Sequence, residues 1–195
     1  RHGEAPARRR THLGVDPARG GKDRTVIAIR GGSVLSKIQT RPGKETPDGQ
    51  SVAAAVREVY EQGTDVIVDV IGVGSSVVDV LKEHMEIGAL NGSASTSMKD
   101  RSGSFALRNK RSAAYWHLRE LLDPSTEDEI ALPPGRELRE ELCAPRYKVL
   151  TSGIAVESKE EIKKRLGRSP DLADAVVYAF SDVLISSSET EVVTL

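Results

Sequence analysis

Four aspartates stand where a carboxylate has chemical use. Asp69 lies in the run Asp65-Val66-Ile67-Val68-Asp69-Val70-Ile71. An acid among such apolar neighbours is costly to bury unless it is paired or binds a metal. Its competing use is structural, as a cap for a helix starting after Gly72-Val73-Gly74. Asp16 closes Leu13-Gly14-Val15 and precedes Pro17. Asp-Pro often opens a turn, so Asp16 alone argues for little. Asp171 and Asp174 follow Ser169-Pro170. Ser169 suits a helix N-cap, Pro170 the first helical position, and Asp171 the positive end of the helix dipole. Asp174 has no such structural use. It lies between Ala173 and Ala175, one turn on, on the face it shares with Asp171. Small alanines let a helix approach a sheet closely, so Asp174 is expected to matter more than Asp171.

Carboxylates gathered at a sheet rim suit hard divalent cations, Mg²⁺ or Mn²⁺, which prefer oxygen ligands. Two such ions roughly 3.5–4 Å apart hold the attacking and leaving oxygens in phosphodiester hydrolysis. Two further residues are auxiliary candidates. Asp23 has the choice of a metal or its water shell and the capping of the next strand, and the cap is the simpler use. Lys159 has the choice of a substrate phosphate and open solvent on a charged helix. Lys99, Arg101, Arg108, Lys110 and Arg111, with Asp100 the acid among them, form a one-sided basic stretch expected to meet DNA phosphates. Lys163 and Lys164 sit beside Glu160 and Glu161 and read better as a solvated face. No base-reading motif is present, which predicts weak sequence preference.

The elements that must position these groups follow from periodicity and turn residues. Strands are expected at 11–16, 25–30 and 33–40, with Gly31-Gly32 as a hairpin turn. A helix over 50–63 ends at Gly63, and 65–70 reads as a buried parallel strand. Helices are expected at 73–85, 109–122, 136–143, 159–167 and 169–184. A short strand and turn are expected in 128–135, and a hairpin over 146–158 turning at Ser152-Gly153. Residues 91–104, rich in Ser and Gly, read as a surface loop. Tyr115 and Trp116 share a helical spacing with Leu118 and Leu122, so at least one belongs to the core.

The chain has 195 residues, 38% hydrophobic, 29% charged and only 4% aromatic. One domain with a Val, Ile, Leu and Ala core fits. It is expected to occupy 11–185, between a flexible lead-in (1–10) and a flexible tail (186–195). A net charge of −1 leaves room for a local basic patch. The single cysteine, Cys143, excludes an internal disulfide and a Cys-based zinc cluster, and its spacing reads as core. No apolar run approaches the roughly 20 residues of a membrane span, and the N-terminus lacks a signal-peptide pattern. No P-loop motif occurs. The chain opens on Arg1 and is read as a piece of a longer protein.

Taken together, the segments His12–Arg30, Val66–Leu81, Arg108–Leu122 and Glu157–Phe180 resemble, in order, the nuclease domain of bacteriophage large terminase subunits. The pairing of Val-Asp-Val-Ile-Gly-Val-Gly with Ser-Pro-Asp-Leu-Ala-Asp-Ala is the most specific part. The resemblance implies an α/β, RNase H-like fold: a mixed central sheet, antiparallel in its first three strands and then parallel, flanked by helices, with an additional β-hairpin. It implies that Asp16, Asp69 and Asp174 bind catalytic metal, with Asp171 beside them. It also implies an endodeoxyribonuclease that cuts concatemeric double-stranded DNA in the host bacterial cytoplasm. In the full-length protein a packaging ATPase, the portal and the small terminase subunit are the expected partners. Without the ATPase the chain should cut DNA but not translocate it.

Three other readings compete. An ATP-binding domain of the actin or sugar-kinase type shares the strand-Asp-Gly-loop opening but needs a second lobe. A dinucleotide-binding module would use Gly72 and Gly74, but Val77 replaces the third glycine. A docking domain that binds DNA without cutting it would keep the fold alone.

Overall fold

A computed structural model describes residues 10–18 and 20–186. Most of the expected lead-in and tail therefore lies outside the described residues.

The first three strands form an antiparallel meander: β1 (Thr11–Asp16), β2 (Arg24–Gly31) and β3 (Val34–Pro42). Gly32, at φ 60°, makes the tight turn between β2 and β3. Helix α1 (Gly49–Arg57) starts at Asp48, whose side chain accepts from Ser51 N in a capping box. The chain then returns as β4 (Asp65–Asp69), parallel to β1. After α2 (Gly74–Leu81), strand β5 (Ile87–Leu90) adds in parallel to β4. The sheet order is β3-β2-β1-β4-β5, antiparallel on one side and parallel on the other. Helices α3 (Lys110–Leu121) and α4 (Arg136–Cys143) follow, then the hairpin β6 (Tyr147–Leu150) and β7 (Gly153–Val156). Helices α5 (Lys159–Leu166), α6 (Asp171–Ala179) and α7 (Asp182–Ser186) complete the described chain.

The sheet separates two apolar cores. Leu13, Val15, Val66 and Val68 pack with Val52, Val56, Val77 and Leu81 of α1 and α2. Val26, Ala28 and Ile67 face the other way, toward α3 and α6. This alternation is the two-residue period of a strand with both faces covered. Every residue of α6 is buried, and β1 accommodates it through Gly14. A Cβ on Gly14 would lie 2.1 Å from Ala175 O and 2.2 Å from Ala179 N. The close approach expected from the alanines of α6 is thus completed by a glycine on the strand.

Several elements differ from expectation. Strand β5 was not anticipated; its four residues, Ile87-Gly88-Ala89-Leu90, are too short and too small to show a period. Residues 128–135 form no strand, only an isolated bridge between Ala131 and Val34. The expected final helix is two, α6 and α7, broken near Phe180. The β6–β7 turn is at Thr151-Ser152, leaving Gly153 inside β7. Cys143 is exposed rather than core, because α4 buries Leu138 and Glu141 instead.

Candidate metal centre

Asp16 and Asp69 end neighbouring parallel strands, where the register pairs Val15 with Val68. Leu13 and Val15 face α1 and α2, so Gly14 and Asp16 face α6. Asp69 shares its face with Ile67, which packs with α6. Both carboxylates therefore point toward the start of α6, where Asp171 and Asp174 occupy the first turn. The turn after β4 is fixed: Gly72 has φ 79°, and a Cβ on Gly74 would lie 1.6 Å from Asp69 O.

A lysine joins three of these carboxylates. Lys159 Nζ donates to Asp16 at 2.8 and 3.0 Å and lies 3.2 Å from Asp174 Oδ2 and 3.4 Å from Asp171 Oδ1. Its place is set by the capping box of α5, in which Ser158 caps the helix and Glu161 reaches back to Ser158 N. Asp69 stands beside this group. Its Oδ1 accepts from Ile71 N at 2.9 Å and its Oδ2 from Tyr178 Oη at 2.9 Å. Asp171 Oδ2 accepts from Arg24 N at 3.0 Å. Asp174 Oδ1 accepts from Tyr115 Oη at 2.6 Å and Arg111 Nη1 at 2.9 Å. Asp174 Oδ2 has no hydrogen-bond partner.

The electrostatics follow from four buried carboxylates and two partly buried cations. Burial pushes Asp16 well above the usual carboxylate range, against the pull of Lys159. Burial likewise raises Asp69, partly offset by the Ile71 and Tyr178 hydrogen bonds. Burial also works against Asp174, but Arg111 and Lys159 outweigh it and hold this carboxyl below its ordinary value. Lys159 stays charged: desolvation opposes its charge, and Asp16, Asp174 and Asp171 overcome it. Burial thus favours a proton on Asp16 and on Asp69.

Asp16, Asp69 and Asp171 line a cleft of about 530 Å³ together with Ile71, Arg108, Arg111, Lys159 and Tyr178, and Asp174 lies buried behind it. Its donors are carboxylate oxygens, the ligand type of hard divalent cations. Among the described residues no three His, Cys, Asp or Glu side chains enclose a cation-sized space. The Lys159 ammonium stands where their oxygens converge, so an ion must displace it. The orphaned Asp174 Oδ2, buried and facing that ammonium, is the oxygen such an ion would engage.

The remaining expected residues fall in several places. Asp23 neither joins the cluster nor caps β2; its carboxylate takes Lys163 Nζ at 2.7 and 2.8 Å. Lys159 belongs to the carboxylates rather than to open solvent. The basic stretch is not one-sided. Arg101 is engaged by Asp128, and its N–H by Glu120. Arg111 turns inward to Asp174. Lys99 is exposed, Lys110 opens α3, and Arg108 is exposed on the cleft.

The start of α6 departs from its expected form. Pro170, not Ser169, is the N-cap residue, and Ser169 Oγ is buried without a partner. The free N–H groups of Leu172 and Ala173 go to Glu141 of α4, at 2.8 and 3.1 Å. Sequence reasoning missed Glu141, Tyr115 and Tyr178 as site residues. The signal for Glu141 is an acid on the apolar stripe of α4, one turn after Leu138. The two tyrosines carried no signal beyond a polar tip on a core position.

A mixed sheet of this order is shared with solved nuclease domains of large terminase subunits. The particular likeness is to the nuclease domain of the large terminase subunit of bacterial virus Sf6: TM-score 0.70, 23% identity, 89% of each chain covered. Mutant forms of that domain solved with manganese and β-thujaplicinol, and with calcium, match at TM-scores 0.70 and 0.69. The large terminase of a thermophilic bacteriophage matches at TM-score 0.52 and 11% identity, over 93% of this chain and 41% of that one. No known sequence family and no curated protein matches the chain.

Proposed function

We propose that the chain is the metal-dependent endonuclease domain of a viral DNA-packaging terminase large subunit. Its substrate is concatemeric double-stranded DNA, cut with little sequence preference in the cytoplasm of the bacterial host. The observation that carries this reading is the convergence of Asp16, Asp171 and Asp174 on one partly buried ammonium, with Asp69 beside them. The neighbouring structures with manganese and calcium support a divalent cation for the same fold.

Asp16, Asp69 and Asp174 would hold Mg²⁺ or Mn²⁺, with Asp171 at the edge. Two such ions, when bound, supply an activated water and stabilise the leaving 3′ oxygen. The chain's own residues do the rest. Tyr178 and Ile71 N hold Asp69 in place, Arg24 N holds Asp171, and Arg111 with Tyr115 holds Asp174. Lys159 lines the same cleft and would offer a cation to a substrate phosphate. The exposed Arg108 and Lys99 and the half-buried Lys110 offer contacts to the DNA backbone without reading bases. The ATPase, portal and small subunit are the partners this reading assigns to the full-length protein. Among the described residues no helix is long and apolar enough to cross a membrane.

The test is plasmid cleavage in Mn²⁺, with and without chelator, for the wild type, Asp69→Ala and Asp174→Ala. Chelator-sensitive cutting lost in both variants, with the fold retained by circular dichroism, is the expected result. Undiminished cutting by both would remove the site assignment. Strong thermal stabilisation by ATP–Mg²⁺, with no cleavage, would favour the kinase-type reading instead.

A further inference from the structure

Arg111 is a puzzle for a cation-binding site. Its side chain is 12% exposed and lies against a carboxylate that is fully buried. A fixed positive charge beside a divalent ion repels it, so affinity for metal does not explain the arginine. Contact with DNA does not explain it either: although the residue lines the cleft, Nε and Nη1 are engaged within the protein and Nη2 is buried without a partner. Nη1 donates to Asp174 Oδ1, and Nε donates to Glu157 O at 3.1 Å. The guanidinium stacks on the Tyr115 ring, 4.7 Å from its centroid. The tyrosine in turn donates its hydroxyl to the same Asp174 oxygen.

The consequence lies in how the two oxygens of Asp174 differ. Oδ1 receives two strong donors from α3, while Oδ2 receives no hydrogen bond and faces the Lys159 ammonium at 3.2 Å. The terminal torsion of an aspartate is broad and roughly two-fold, so an unheld carboxylate turns freely. Charge-assisted donors on one oxygen remove that freedom. We infer that Arg111 and Tyr115 are positioning residues: a clamp on Asp174 Oδ1 that leaves Oδ2 alone to meet a catalytic cation. This rests on the nuclease reading and adds to it a division of labour within α3. The helix shapes the site rather than the DNA contact that the arginine's place in a basic stretch suggests.

Two variants test the clamp. Tyr115→Phe keeps the ring and removes one donor, so it leaves the fold least disturbed. Arg111→Met removes the other donor and the charge. In both, kcat for plasmid cleavage in Mn²⁺ should fall about tenfold, equivalent to about 1.4 kcal/mol of lost transition-state stabilisation. KM for DNA should not change. Calorimetry should give an Mn²⁺ dissociation constant equal to or lower than that of the wild type, because repulsion is relieved and a second oxygen freed. A purely structural role would lower thermal stability without this split. Three results would overturn the proposal: a raised KM with kcat unchanged, Mn²⁺ binding weakened about threefold or more, or unchanged turnover in folded Tyr115→Phe. If the wild type binds Mn²⁺ but does not cut, the nuclease reading fails alone. The calorimetric comparison then decides the clamp: equal or tighter binding supports it, weaker binding overturns it.

Discussion

Lys159 and Asp16 are 143 positions apart in the chain, yet Lys159 Nζ sits 2.8 Å from Asp16 Oδ2, both largely buried. The pair brings the first strand and the fifth helix together at the end of the sheet. The protein therefore supplies a cation of its own to the carboxylates. In many small metal-binding domains the ion is needed for folding. Here the Lys159 ammonium balances the gathered carboxylates within the fold and stands where their oxygens converge.

Replacing Lys159 should separate these two roles. Lys159→Met leaves three carboxylates facing one another without that cation. Breaking a buried ion pair costs about 3–5 kcal/mol, so the metal-free variant should melt well below the wild type. Added Mn²⁺ should bind more tightly, having no ammonium to displace. The rise in melting temperature on adding Mn²⁺ should therefore exceed that of the wild type. Equal rises would show that the lysine does not occupy the cation's place.

Metal binding should also depend on pH through Asp16. Burial holds its folded pKa well above the ordinary value, so a proton and a cation compete for the same carboxylate. Apparent Mn²⁺ affinity should climb as pH rises through that folded pKa and level off above it. Calorimetry in two buffers of different ionisation heat should show proton release on binding below the plateau and none above it. The release should shrink in Asp16→Asn, leaving the share of Asp69. Affinity independent of pH would contradict the assignment of the proton to this residue.

Glu141 should prove essential to the start of α6. Its carboxylate is fully buried and takes the N–H groups of Leu172 and Ala173. Arg168 Nε lies 3.3 Å away and Arg24 Nη2 3.5 Å. Glu141→Ala orphans two helix donors, while Arg24 keeps Glu137 and Arg168 keeps Glu137 and Glu140; the lost hydrogen bonds should lower stability by about 1–3 kcal/mol in urea unfolding. Because Asp171 lies in the same turn, cleavage should fall further than stability alone predicts at a temperature where the variant is fully folded. Proportionate losses would make Glu141 a stability residue only.

Gly14→Ala is the sharpest test of the packing. The added methyl would meet backbone atoms of Ala175 and Ala179, which have no flexible end to move aside. Helix α6 must lift from β1, and overpacking of this kind costs about 1–3 kcal/mol or more. The variant should show a lowered urea midpoint and a loss of cutting from displaced Asp171 and Asp174. An unaffected midpoint would mean that the helix is not seated as described.

The parts of this architecture that could be read in the sequence are those with local causes. Asp69 stood out because its apolar neighbours made an unpaired acid expensive. Strands β1 to β4 showed period and turn residues. The partners of the aspartates did not stand out, because each is set by a long-range contact. Tyr115 has the spacing of a core aromatic, and only the arrival of α6 turns its hydroxyl into a donor for Asp174. Arg111 looked like its basic neighbours until the fold turned it inward. Ser169-Pro170 carried a plausible capping signal, and the tertiary contact from Glu141 replaced it. Strand β5 lacked any signal, since two of its four residues are Gly and Ala.

Helix α6 lies near the end of the described chain, covers one face of the sheet and carries two of the four aspartates. A chain still emerging from the ribosome, complete only through α5, would have Asp16, Asp69 and Lys159 but an uncovered sheet. Seating α6 closes the core and completes the cluster in one event. The four-aspartate cluster is thereby whole only in molecules that have finished folding.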